Sequence, residues 1–127
     1  LKYVKTRKNF KYITSLGQKN YFKFLMHVDG VIGNSSSGVH EVPSFKIGTI
    51  NIGDRQLGRQ KINSVINVNY SKADIIRAIK KVSSSKFKKK LKKTINPYEK
   101  KNTKQNIIKK LISFLKKDIS TIKKFYE

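Results

Sequence analysis

The sequence predicts an α/β fold, a small parallel sheet layered with helices. Three observations carry that prediction. Apolar, mostly β-branched runs recur at Val28–Ile32, Ile47–Ile52 and Ser64–Val68. Stretches with helical spacing of apolar residues stand around them. Loops rich in Gly, Ser and Asn separate the two kinds of segment.

In chain order, residues 1–14 hold Tyr3, Val4, Phe10, Tyr12 and Ile13 among lysines. Phe10–Thr14 reads as a strand from its β-branched and aromatic content, which would make four strands in all. Ser15-Leu16-Gly17 is a break. From Gln18 or Asn20 to about His27, the residues Tyr21, Phe24, Leu25 and Val28 fall at i, i+3, i+4 and i+7, one buried stripe. His27 is expected at the surface or the helix end. Val28–Ile32 is the next strand, and Ile47–Ile52 the one after, nearly free of charge. Gly53–Arg59 is a loop with two glycines and two arginines. Ser64–Val68 follows as a strand. Ser71 is placed to cap a helix over Lys72–Val82, with Ala73, Ile76, Ile79 and Val82 on one face. Ser83-Ser84-Ser85 breaks it. Phe87 and Leu91 punctuate a lysine-rich segment read as a short solvated helix, and Asn96-Pro97-Tyr98 is a turn. From about Thr103, the residues Ile108, Leu111, Ile112, Leu115, Ile119 and Ile122 mark a long amphipathic helix, expected to pack its stripe on a domain.

The stretch with the most chemistry is Gly33-Asn34-Ser35-Ser36-Ser37-Gly38, followed by Glu41. A strand turning into a helix leaves the first helical N–H groups unpaired. Such a corner favours an anion, typically phosphate. Three serine hydroxyls add donors, and Glu41 is placed to accept from a ribose hydroxyl. The plainer reading is that the serines only cap a helix. The loop is not a Walker A motif, because Val39-His40 stands where Lys-Ser/Thr is required. Pro43 demands a short helix.

Composition bounds the partners. The chain has 127 residues, with 30 Lys+Arg against 7 Asp+Glu and a formal charge of +23. That balance invites a nucleic-acid reading. Yet arginine, the usual reader of bases and phosphates, occurs only at Arg7, Arg55, Arg59 and Arg77. Abundant Lys, Asn and Ile also follow from AT-rich coding. There is no cysteine, which excludes disulfides and thiolate metal sites. No apolar run approaches the roughly 18 residues that span a membrane. A cytoplasmic setting is expected. The chain opens at Leu1 on an apparent core strand, as expected of a piece of a larger protein.

A catalytic set is missing. Asp74, Glu99, Asp118 and Glu127 read as surface acids. Glu41 and Asp54 both follow strand ends and could share a cleft. His27 and His40 make no metal motif, and GxSxG is absent. Arg55 and Arg59 lie just past a strand's end, where ligands bind in open α/β sheets. A guanidinium there suits phosphate or carboxylate, or simply a solvated turn. The residues alone thus indicate a phosphate or nucleotide half-site.

The run Ser15-Leu16-Gly17, Tyr21, then Val31-Ile32-Gly33-Asn34-Ser35-Ser36-Ser37-Gly38-Val39-x-Glu41-Val42-Pro43-Ser44-Phe45 resembles the hydrolysing UDP-N-acetylglucosamine 2-epimerases. So does Ile50-Asn51-Ile52-Gly53-Asp54-Arg55-Gln56-x-Gly58-Arg59 with Ser64-Val65-Ile66. The resemblance covers about residues 10–82, and Asn96-Pro97-Tyr98 extends it. It implies a partial Rossmann-like domain, the C-terminal half of a GT-B fold. Residues 1–95 would be the UDP-binding part and 96–127 a C-terminal helical segment. By position, Ser35 and Ser36, with Ser37 and Gly38, would hold the diphosphate. Glu41 would bind the ribose, and the backbone at Leu16 would flank the uracil. Arg55, and with it Arg59, would face the substrate cleft.

The resemblance further implies elimination of UDP from UDP-N-acetylglucosamine and hydration of the resulting glycal, giving N-acetylmannosamine for sialic-acid-type sugars. Some relatives use UDP-diacetylbacillosamine. No cofactor, metal or membrane is implied. The acid/base carboxylates would lie mainly in an N-terminal domain, and the full-length enzyme would be a homo-oligomer. No catalytic residue is assigned within this chain, which alone would be inactive. This sequence departs from the family at Glu99-Lys100-Lys101, where relatives carry Gly-Asp-Gly after Asn-Pro-Tyr. The second reading is a lysine-rich nucleic-acid-binding module.

Overall fold

The computed structural model describes residues 2–117. Three short β-branched runs form the strands β1 (Gly30–Gly33), β2 (Gly48–Ile52) and β3 (Val65–Val68). All pairings are parallel, in the order β1-β2-β3. Helices α2 (Gly17–Leu25), α3 (Ser37–His40), α4 (Lys72–Ser83) and α5 (Ser85–Leu91) accompany the sheet, after a single turn α1 (Lys2–Lys5). The last helix, α6 (Thr103–Leu115), follows a turn. This is a partial Rossmann-like α/β arrangement.

β2 is central and alternates its side chains between two layers. Ile50 faces one layer and packs with Ala78 and Val82 of α4 and Phe87 and Leu91 of α5. Ile52, Ile66 and Val68 border that core. Gly48 lets α4 and α5 close on the strand, since a Cβ there would lie 2.8 Å from a Val82 methyl and 3.0 Å from the Phe87 ring. On the other face, Thr49 meets α3. Asn51 is also buried, and its amide donates across to Asn67 Oδ1 of β3 at 2.9 Å.

Several expectations are corrected. Phe10–Thr14 is not a strand, so among the described residues the sheet has three strands and not four. β-propensity needs a paired, half-buried site, and this segment pairs with no strand; Phe10, Tyr12 and Ile13 are exposed. The segment instead doubles back on α1: Phe10 meets Tyr3 edge-on at 5.4 Å, and the Arg7 guanidinium lies 4.2 Å from the centre of the Tyr3 ring.

In α2, Leu25 is buried but Phe24 is exposed and Val28 lies past the helix end. Phe22 turns inward instead and meets Phe45 at 5.7 Å. His27 is exposed, as expected. In α4 the buried face runs through Ile75, Ala78 and Val82, while Ala73, Ile76 and Ile79 are exposed. Ser71 sits at the N-cap without a side-chain cap bond. α5 is short, as expected, but not merely solvated, because Phe87 and Leu91 enter the core. Ser84 caps it, accepting from the Phe87 N–H at 3.3 Å. α6 buries none of its residues, so the expected packing of its stripe is absent among the described residues. Ile119, Ile122, Asp118 and Glu127 lie outside them.

Asp29, just before β1, pairs with Lys88 of α5 at 2.6 Å. Hydrogen bonding to that ammonium, and then its charge, hold the carboxyl below its ordinary pKa.

Candidate functional site

β1 ends at Gly33, and the chain turns through exposed Asn34, Ser35 and Ser36 into α3. Pro43 sets the length of that helix. It stands at the start of a 3-10 turn, Val42–Phe45, directly after α3. Its ring forbids a continuing α-helix. One turn of helix supplies little macrodipole, so any anion affinity here rests on local donors. The Ser37 N–H already donates to Ser35 Oγ at 3.3 Å. That bond is a local cap, and Ser36 at the N-cap makes no side-chain cap.

Gly38 is buried against β2. A Cβ there would lie 2.7 Å from Thr49 Cγ2, and Thr49 Oγ1 donates to the Gly38 carbonyl at 2.7 Å. Only glycine lets α3 sit this close. The corner is anchored below by Val42 and Pro43, both buried.

A cleft of about 600 Å³ opens between the start of α2 and this corner. Its walls include Ser15, Leu16, Gly17, Tyr21, Ser37 and Glu41. The irregular segment ending at Leu16 forms one side. Tyr21 reaches over from α2, its hydroxyl 2.8 Å from Ser37 Oγ. Sequence periodicity assigned Tyr21 to the core; its polar tip is the part that helical spacing does not reveal. Glu41 follows α3, and its Oε2 is buried with no hydrogen-bond partner. A buried acceptor without a donor is costly.

Leu16, Ser37 and Glu41 therefore share one cleft, with Ser35 and Ser36 on the exposed turn beside it. Gly38 lies behind, in the packing with Thr49. Arg55 is exposed and lines none of the cleft. Arg59 is engaged at the back of the corner, where Nη1 donates to His40 Nε2 at 2.8 Å. Asp54 does not share a cleft with Glu41. It lines a separate cavity of about 610 Å³ with Tyr70, Asp74 and Arg77. The two acids are thus no catalytic pair here. Among the described residues no cluster of three or more His, Asp or Glu is placed to hold a metal.

Two polar side chains that the sequence reading named in motifs but gave no role hold the corner in place. Gln56 is buried beyond β2, and its Nε2 donates to the Asn34 carbonyl at 2.8 Å. It ties the arginine-bearing turn to the serine turn. Asn96 is buried, and its Nδ2 donates to the His40 carbonyl and to Ser44 Oγ, both at 2.7 Å. Neither contact follows a periodicity, so no local signal marks them. Ser44 Oγ donates in turn to Glu99 Oε2 at 2.7 Å, so Glu99 is used where a glycine would offer nothing.

The family model for UDP-N-acetylglucosamine 2-epimerase matches residues 1–112. Over 127 residues, all of this chain and 32% of the relative, the sequence is 39% identical to the polysialic acid biosynthesis protein P7 of Escherichia coli. Over 78 residues, 61% of this chain and 20% of the relative, it is 40% identical to a GDP/UDP-N,N'-diacetylbacillosamine 2-epimerase (hydrolyzing) of Campylobacter jejuni. Over 65 residues, 50% of this chain and 17% of the relative, it is 35% identical to a UDP-N-acetylglucosamine 2-epimerase of Neisseria meningitidis. The chain thus spans about a third or less of the length of these relatives.

Proposed function

The chain belongs to the UDP-N-acetylglucosamine 2-epimerase family, and from that premise we propose that it is the UDP-holding part of a hydrolysing nucleotide-sugar 2-epimerase. The observation that carries this reading is the cleft in which Leu16, Ser37 and Glu41 meet. A ribose has hydroxyls that donate to a carboxylate. Charge-assisted bonds of that kind are the stronger ones. The exposed Ser35 and Ser36 beside the cleft suit the diphosphate, through hydroxyls and local amides rather than a long dipole. The backbone at Leu16 suits the edge of a uracil ring. Arg55 is assigned to the side facing the sugar, and Arg59 to holding His40 at the back of the corner.

The reaction proposed for the complete enzyme is elimination of UDP from a UDP-2-acetamido sugar, followed by addition of water to the glycal. The outcome is the free 2-epimer and UDP, with UDP-N-acetylglucosamine or UDP-diacetylbacillosamine as substrate. Among the described residues no acid/base pair stands by the cleft. The carboxylates for the proton transfers are assigned to an N-terminal domain, and residues 96–127 of this chain to a C-terminal helical segment. Homo-oligomerisation and a cytoplasmic setting belong to the same reading.

Calorimetric titration of UDP into the wild-type and Glu41→Ala chains tests it. Loss of a charge-assisted hydrogen bond is expected to weaken binding by roughly ten- to a hundredfold. Equal affinity in the two proteins would remove Glu41 from the nucleotide site.

A further inference from the structure

We infer that Asn96 is a positioning residue for the nucleotide site, setting Glu41 through the backbone carbonyl of His40. The inference rests on the UDP reading above and adds a residue 56 positions away from His40 in the chain. A carboxylate that must meet a hydroxyl at hydrogen-bond distance needs its Cα fixed to about half an ångström. In this fold the peptide unit between His40 and Glu41 is held from both sides. Its N–H, on Glu41, donates to the Ser37 carbonyl at 3.0 Å. Its C=O, on His40, accepts from Asn96 Nδ2 at 2.7 Å. A peptide plane pinned at both ends fixes the Cα that follows it.

The next peptide is pinned too. The Ser44 N–H donates to the Glu41 carbonyl at 3.0 Å, and Asn96 also holds Ser44 through its Oγ. Asn96 is itself well determined. It is 5% exposed, and its Oδ1 accepts from the Tyr98 N–H at 3.0 Å. Both faces of its amide are thus in use. Tyr98 stacks on the His40 ring, 4.3 Å between centres and 10° from parallel. Its hydroxyl accepts from the Gln60 N–H at 3.2 Å. Because a guanidinium only donates, His40 Nε2 accepts from Arg59, which fixes the tautomer. The Asn96-Pro97-Tyr98 turn therefore grips the corner by the residue immediately before Glu41.

The test is a double-mutant cycle on the full chain. UDP and, in parallel, inorganic pyrophosphate are titrated into wild type, Asn96→Leu, Glu41→Ala and the double variant, with thermal unfolding followed for each. Asn96→Leu keeps the volume and the charge but cannot donate to the His40 carbonyl. The expected result is about a tenfold loss of UDP affinity for Asn96→Leu and no further loss when it is added to Glu41→Ala. Pyrophosphate, which has no ribose, should lose no affinity on Asn96→Leu in either background. Tyr98→Leu, which removes the stack and leaves Asn96, should give the same pattern and serves if Asn96→Leu does not fold. An undiminished effect of Asn96→Leu in the Glu41→Ala background would overturn the inference, as would a parallel loss for pyrophosphate. If wild type binds no UDP, the nucleotide reading fails and this inference falls with it. If wild type binds UDP and the cycle is additive, the inference fails alone.

Discussion

At the scale of single residues, Gly38 shows how closely this corner is built. The resemblance sets it among the residues that would hold a diphosphate, and in the fold it lets β2 approach. Gly38→Ala would force a methyl against Thr49 Cγ2. Overpacking of that kind costs about 1–3 kcal/mol. Thr49→Ser removes the offending methyl and keeps the hydroxyl that donates to the Gly38 carbonyl. The pair Gly38→Ala/Thr49→Ser is therefore expected to unfold at a higher denaturant midpoint than Gly38→Ala alone. A double variant no more stable than the single one would place the strain elsewhere.

At the scale of elements, α5 and α6 make opposite demands on similar sequences. Both are lysine-rich, yet α5 sends Phe87 and Leu91 into the core, whereas the large apolar residues of α6 are 45–80% exposed. Phe87→Ala should cost about 3–5 kcal/mol of stability. Ile108→Ser and Leu111→Ser on α6 should each change it by no more than about 0.5 kcal/mol. Chemical denaturation separates the two cases, and a large loss at Leu111 would mean that α6 packs on the domain after all.

The same contrast shows what a sequence makes legible. β2, β3 and α4 lie within a residue or two of expectation, because uncharged β-branched runs and a Ser-to-Lys helical stretch are local signals. The face of α4 was not legible. Two overlapping apolar stripes run along it, one through Ile75 and Ala78 and the other through Ile76 and Ile79, and only the sheet chooses between them. Phe10–Thr14 carries strand residues but has no partner strand, and pairing is not a local property. In the cleft, Ser37 and Glu41 were legible in the turn from strand to helix, and Leu16 only through the family resemblance. Gln56 and Asn96 stand in the motifs that carry that resemblance, but their roles were not legible, since each acts through a backbone carbonyl distant in the chain.

At the scale of the whole molecule, the charge of +23 sets a field that attracts any polyanion. A field and a site respond differently to salt. Binding of duplex DNA should be insensitive to sequence and fall steeply as salt rises. UDP held by one cleft should change affinity by less than about tenfold over the same range, since close, partly buried contacts are screened less. Fluorescence anisotropy for DNA and calorimetry for UDP make the comparison. Sequence-selective DNA binding that survives high salt would put the nucleic-acid reading ahead of the nucleotide one.

The strand order β1-β2-β3 has a consequence for handling the molecule. Among the described residues the two outer strands each pair only with β2. Each keeps one row of main-chain N–H and C=O groups without a ladder partner, and such rows are templates for adding strands. Two copies meeting along those seams would extend the sheet with no change to the nucleotide corner. Light scattering from concentrated solutions should therefore rise while the UDP-binding capacity per chain stays constant.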